Sequence, residues 1–220
     1  MTDRRDILRL LALAAAAGPL GPVRQALAAG LPAGLRRVRG HVAVNGRPAQ
    51  EGQVVMPGDT VATGPDSEAV YVVGQDAFLQ RDASVVRFGA DVTADFLRVL
   101  SGRILSVFGR VDIKDTKRIS ISTATIGIRG TGCYIEEEGH RTYFCLCYGE
   151  AEVTPTAAPA AREIIRSLHH DRPMYINADR AMPTSMVPAL VINHTDAELT
   201  LIEALVGRVP PFQGLPGYSY

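Results

Sequence analysis

Residues 57–88 read PGDTVATGPDSEAVYVVGQDAFLQRDASVVRF. Turn-forming clusters punctuate this stretch at Pro57-Gly58-Asp59, Gly64-Pro65-Asp66, Gly74-Gln75-Asp76 and Asp82-Ala83-Ser84. Between them lie Thr60 to Thr63, Ala69 to Val73, Ala77 to Gln80 and Val85 to Phe88, short Val-rich runs without the 3.6-residue period of a helix. β-Branched and aromatic side chains pack well on a pleated surface, while Gly, Pro and Asp set tight corners, so each run reads as a strand.

The same rhythm extends in both directions. Upstream are Val38 to Val44, the turn signal Asn45-Gly46, and Gln53 to Met56; downstream are Phe96 to Leu100, Gly102 to Phe108, Arg118 to Thr123, Thr125 to Ile128, Cys133 to Glu137, Arg141 to Tyr148 and Ala151 to Thr154. Turn signals about 8–12 residues apart are those of a sandwich, roll or barrel, so the fold class expected is all-β, a roll or sandwich of many short strands. An Ala/Pro-rich stretch from Thr154 to Ala161 breaks the pattern, and residues 162–193 are compatible with two more strands or with a short helix. Then Thr195-Asp196-Ala197-Glu198 forms a capping box, Leu199, Ile202, Leu205 and Val206 share one helical face, and Gly207 with Pro210-Pro211 stops the run. The expected organisation is a β domain over 37–155 and a C-terminal extension over 156–220, whose short α-helix near 196–206 packs on the β domain.

The N-terminus bears on compartment. Arg4, Arg5 and Arg9 precede an apolar run from Leu10 to Ala17, Gly18 and Pro19 follow, and Ala26-Leu27-Ala28 supplies a small-x-small cleavage signature. That run is too short to cross about 30 Å of hydrocarbon, so residues 1–28 read as a signal peptide and leave no permanent membrane span after cleavage. Arg4-Arg5-Asp6-Ile7-Leu8-Arg9 resembles a twin-arginine export motif, with Asp3 where Ser or Thr is usual. The expected location is the periplasm. Lys+Arg and Asp+Glu balance at 23 each, Trp is absent and aromatics make up 6% of the 220 residues. Neither a basic field nor a stacking platform is present, which argues against a nucleic-acid partner.

Several strings in fixed order carry a family resemblance. They are Gly58-Asp59-Thr60-Val61-Ala62-Thr63-Gly64, Asp66-Ser67-Glu68-Ala69, Gly102-Arg103-Ile104, Thr123 to Thr131 with its Arg129-Gly130-Thr131 ending, and Tyr148-Gly149-Glu150-Ala151-Glu152-Val153. Over about residues 37–155 the chain resembles the periplasmic domain of the FecR family. The resemblance implies a non-enzymatic binding or signalling module of the cell envelope with a protein or envelope partner, since FecR relays a signal from an outer-membrane receptor to a cytoplasmic sigma factor. A cleavable leader without a cytoplasmic helical segment departs from that pattern and favours a free periplasmic role. The motif residues Gly58, Asp59, Thr60, Gly64, Arg129, Gly130 and Thr131 have the chemistry of scaffold: Gly at corners, Asp accepting from nearby N–H groups, and Arg129 holding loop carbonyls or a carboxylate.

Cys133, Cys145 and Cys147 fall in one expected hairpin. With Glu138-Gly139-His140 as its loop, Glu137 pairs with Arg141, Cys133 lies opposite Cys145, and Cys147 shares their face. A slip of one residue would change that relation. Three readings stand side by side: a disulfide of Cys133 with Cys145 or Cys147 that leaves one free thiol; a Cys₃His site for zinc or another soft or redox metal, completed by His169 or His170; and small thiols filling a core. His194 is a lesser candidate, since its place just ahead of the capping box reads as packing or an exposed helix start, and Glu136-Glu137-Glu138 reads as a solvated hairpin tip. No G-x-S-x-G elbow, phosphate-cradling Gly loop or H-E-x-x-H occurs, and Ser167, His169 and Asp171 lie too close along one strand for a triad, so no enzyme is expected.

Overall fold

A computed structural model describes residues 31–90, 95–110, 116–182 and 184–214; the expected signal peptide lies outside them. The strands are β1 (Gly34–Arg39), β2 (Val42–Val44), β3 (Arg47–Pro48), β4 (Thr60–Thr63), β5 (Glu68–Val73), β6 (Asp76–Gln80), β7 (Ser84–Phe88), β8 (Leu97–Val107), β9 (Lys117–Ser120), β10 (Ala124–Ile128), β11 (Gly132–Glu137), β12 (Arg141–Pro155), β13 (Glu163–Ser167), β14 (Met174–Asn177) and β15 (Met186–Pro188). Helix α1 (Asp196–Leu205) follows, with both halves of the Thr195/Glu198 capping box in place. The protein is thus all-β with a short C-terminal helix.

Pairing sorts the strands into two sheets. The first runs β1-β5-β6-β8-β11-β12-β14-β15. The second runs β3-β2-β4-β7-β8-β9-β10-β12-β13, antiparallel except for the β8-β9 pair. The long strands β8 and β12 belong to both, each turning a corner at a glycine. Gly102 has φ +83° and Gly149 φ +99°, backbone that a Cβ strains, and an added Cβ at Gly102 would lie 2.5 Å from Ser84 Cα. Runs that read as separate strands on either side of Gly102 and of Gly149 are therefore one bent strand each. Gln53 to Met56 forms no strand: it is a loop held by Leu35 N–H donating to Gln53 O at 2.8 Å, with Val55 buried.

The first sheet is covered on both faces. Leu35, Tyr71, Phe78, Ile104, Cys133, Ile135, Phe144 and Leu146 point between the sheets, where they meet Val61, Val86, Phe88, Ile119 and Ile126 of the second. The alternate residues Val70, Val72, Leu79, Leu105, Val107, Tyr134, Tyr143, Cys145 and Cys147 point the other way and are covered by Leu199, Ile202 and Phe212. Alternation at period two makes such a division, one face per core. Residues after 156 add β13 to the second sheet and β14 and β15 to the first, all built on β12.

The hairpin of β11 and β12 closes tighter than its sequence implies. Glu138 N–H donates to Arg141 O at 3.1 Å across a two-residue turn, so Glu137 pairs with Thr142 and Cys133 faces Leu146, not Cys145. One residue of slip moves a side chain to the opposite face. Nor is the tip solvated as a whole: Glu136 and Glu137 are buried, and Glu137 accepts from Ser122, Gly139 and Thr142.

Candidate metal centre

On the outer face of the first sheet, Cys145 and Cys147 stand two residues apart on β12 with no solvent exposure. Two histidines reach them from elsewhere. His170 sits in the turn after β13 with φ +52°, and its N–H donates to Cys147 O at 2.9 Å. That turn is closed by Asp171, which accepts from Leu168 N–H at 2.6 Å while its own N–H donates to Ser167 Oγ at 3.0 Å. Ser167 and Asp171 are thus turn residues. His194 precedes the N-cap of α1, and a residue there packs on the same side as the helix's buried fourth position, here Leu199. A docked helix turns that residue inward, so His194 is 7% exposed.

The four donor atoms, Cys145 Sγ, Cys147 Sγ and one nitrogen from each of His170 and His194, lie within 4.8 Å of one another. Cys145 Sγ is 3.3 Å from His170 Nδ1, which is 3.1 Å from His194 Nε2. A zinc tetrahedron with ordinary bond lengths has edges of about 3.3 Å between nitrogens and about 3.6 Å between nitrogen and sulfur. The site is close to that size.

Outer contacts orient both rings. His170 Nε2 faces Asp196 Oδ1 at 3.1 Å and His194 Nδ1 faces the Ile192 carbonyl at 2.6 Å. Carbonyl and carboxylate oxygens only accept, so each ring carries its hydrogen on the outer nitrogen, and in the neutral rings the inner lone pairs converge on the Cys145 sulfur. Tyr134 stacks on His194 at 4.5 Å between centroids, and Phe212 packs against His169. His169 Nε2 also meets Asp196, at 2.9 Å, so His169 and His170 converge on one carboxylate instead of facing opposite ways as in a strand.

The electrostatics are those of an electron-rich pocket. A hydrogen bond from Cys147, with His170 and His194 adjacent, holds the Cys145 thiol well below its usual range against the opposing effect of burial. Burial pushes Cys147 well above the usual range, and the neighbouring Cys145 adds to this. Burial works to lower His170, but Cys145 and Asp196 outweigh it and raise the imidazole. Burial opposes ionisation of Asp196, and His169 and His170 prevail, so the carboxyl is held below its ordinary value. Thiolate sulfur and imidazole nitrogen are the forms in which these side chains ligate, so a cation bound here would take the place of the protons they share.

Of the residues singled out in the sequence, Cys145, Cys147 and His170 come together, His169 stands behind Asp196, and Cys133 is excluded. All three cysteines are free thiols; Cys133 lies in the inter-sheet core, where burial raises its thiol. His194, a lesser candidate in the sequence, is a full member, and Asp196 is the member the sequence did not point to. Among the family-motif residues, Asp59 accepts from Asn45 Nδ2 at 2.6 Å and Met56 N–H at 2.7 Å, and Arg129 pairs with Glu150 at 3.2 Å.

No protein-family model and no curated protein sequence matches the chain. Among solved structures it is similar to two crystal structures from Parabacteroides distasonis ATCC 8503, each described as a "putative anti-sigma factor", at 11% identity with TM-score 0.48 and at 12% with TM-score 0.47. Each match covers 59% of this chain, which spans 58% of the length of the chains it matches. Among the described residues, no helix is long and apolar enough to cross a membrane.

Proposed function

We propose that this chain is an exported, non-enzymatic module of the cell envelope that binds a thiophilic metal ion of the zinc class through Cys145, Cys147, His170 and His194. The observation that carries the reading is the convergence of two sulfurs and two imidazole nitrogens within 4.8 Å. Sulfur and imidazole donors select zinc and softer ions over magnesium or calcium, and four protein ligands fill a tetrahedron without leaving a position for substrate. A closed set of ligands supports a structural or sensory role over a catalytic one. The Arg4 to Ala28 leader and the ordered FecR-like strings support the envelope setting and a protein or envelope partner, with the ion as part of the module itself.

The test is metal analysis and thiol counting on exported protein purified without chelator. The expected result is about one zinc-class ion per chain with all cysteines reduced. Metal-free protein with two oxidised sulfurs would overturn the proposal.

A further inference from the structure

We propose that the bound ion is a latch: it fastens the C-terminal segment 189–212 onto the outer face of the first sheet, and its loss releases that segment. The inference rests on the metal-binding reading above and adds what the ion does to the fold.

The donors belong to separate parts of the structure. Cys145 and Cys147 are on β12, His170 is in the turn beyond β13, and His194 lies within the covering segment, just ahead of the N-cap of α1. An ion holding all four would therefore join the sheet to its cover. Asp196, on the first turn of α1, adds a second link by accepting from His169 and His170.

Without the ion, the cover is held by packing and hydrogen bonds alone. Helix α1 has ten residues and buries Leu199, Ile202 and Glu203. Helices below about 12–15 residues are marginal alone in water and depend on what they pack against. The other ties include Leu199, Ile202 and Phe212 on the sheet, Arg81 with Glu198 at 2.8 Å and with Asn193 O at 3.0 Å, Asn193 Nδ2 donating to Glu136 at 2.7 Å, the Tyr143 hydroxyl donating to Leu190 O at 3.0 Å, Ala189 N–H donating to Pro173 O at 2.9 Å, Arg208 donating to Gln75 O at 2.7 Å, and Glu203 between Tyr148 and Arg208. Each of these contacts is lost when the segment opens, and the ion would add one more, through His194. An ion held by His194 as well as by the three donors outside the segment suppresses the open arrangement by the ratio of its affinities for the two, with a ceiling of about 100-fold at free ion 100 times its Kd. Opening exposes Val70, Val72, Leu79, Leu105, Val107, Tyr134 and Tyr143, the face the segment covers.

Amide hydrogen exchange tests this on the full mature chain, with zinc and after chelation, occupancy being measured on the same samples. Chelation is expected to speed exchange across 195–206 by up to about 100-fold at the stated saturation, while β2, β4 and β7 of the second sheet keep their rates. In His194→Ala, brought to full occupancy on the remaining donors, exchange in 195–206 is expected to be fast and no longer to depend on zinc. Stoichiometric zinc that leaves exchange in 195–206 unchanged on removal would sink the latch and leave the site standing; absence of bound zinc would sink the metal reading itself.

Discussion

Cys133 and Cys147 are both fully buried thiols of one hairpin, yet their substitution by serine has opposite consequences. Cys147→Ser removes one of four donors, and Cys133→Ser removes none, because Cys133 faces the inter-sheet core. With free zinc at 100 times Kd, binding adds about 2.7 kcal/mol to the native state. For a chain of this size each kcal/mol moves Tm by about 2–4 °C, so zinc added to the chelated wild type raises Tm by about 5–11 °C. Cys133 has no hydrogen-bond partner among the described residues, so a serine hydroxyl there costs about 1–3 kcal/mol, and Tm falls by about 2–12 °C with and without zinc alike. Scanning calorimetry of the three proteins in zinc and in chelator reads both effects. The increment should survive in Cys133→Ser and vanish in Cys147→Ser. Loss of the increment in Cys133→Ser, or its full retention in Cys147→Ser, would refute the assignment of faces.

Gly102→Ala adds left-handed strain and a contact with Ser84 Cα at 2.5 Å, backbone that cannot step aside; a loss of about 3–5 kcal/mol in urea unfolding is expected, and a loss under about 1 kcal/mol would mean that the corner is not rigid. Burial holds the Asp76 carboxyl above its ordinary value even though Lys117 Nζ lies 2.5 Å away and Gly109 N–H donates to it. A raised acid binds its proton more tightly in the native state, so its contribution is lost as pH rises through the elevated value; from about pH 4 to about pH 7 the stability of wild type relative to Asp76→Asn should fall, and a rise would contradict the burial argument. Replacing Arg4 and Arg5 together by Lys should leave precursor in the cytoplasm, as judged by fractionation, whereas normal export would assign the leader to the Sec route.

The strands between Pro57 and Phe88 were legible because each is short, β-branched and bounded by turn chemistry, so local preference and tertiary pairing agree. The corner strands were not. Gly102 and Gly149 look like turn residues, and only non-local pairing reveals that β8 continues from β7 and β9 to β6 and β11 without a break. Residues 162–193 were ambiguous for the same reason: β13, β14 and β15 owe their form to β12 and to one another, which composition does not encode.

The centre was half legible, and the missing half is instructive. Period two alone places Cys145 and Cys147 on one face, so that pair needs no knowledge of register. Assigning Cys133 does need it, because a two-residue turn instead of a three-residue loop reverses its face. His194 could have been found from the capping box, since the residue ahead of a docked helix's N-cap turns toward whatever the helix covers. The helix covers the outer face, which is the face of Cys145 and Cys147 and not of Cys133. Period two thus supplies Cys145 and Cys147, register removes Cys133 and capping supplies His194, while His170 is placed by the turn after β13 that bonds back to Cys147 O. A single slip in β11 would return Cys133 to the set without moving His194 away.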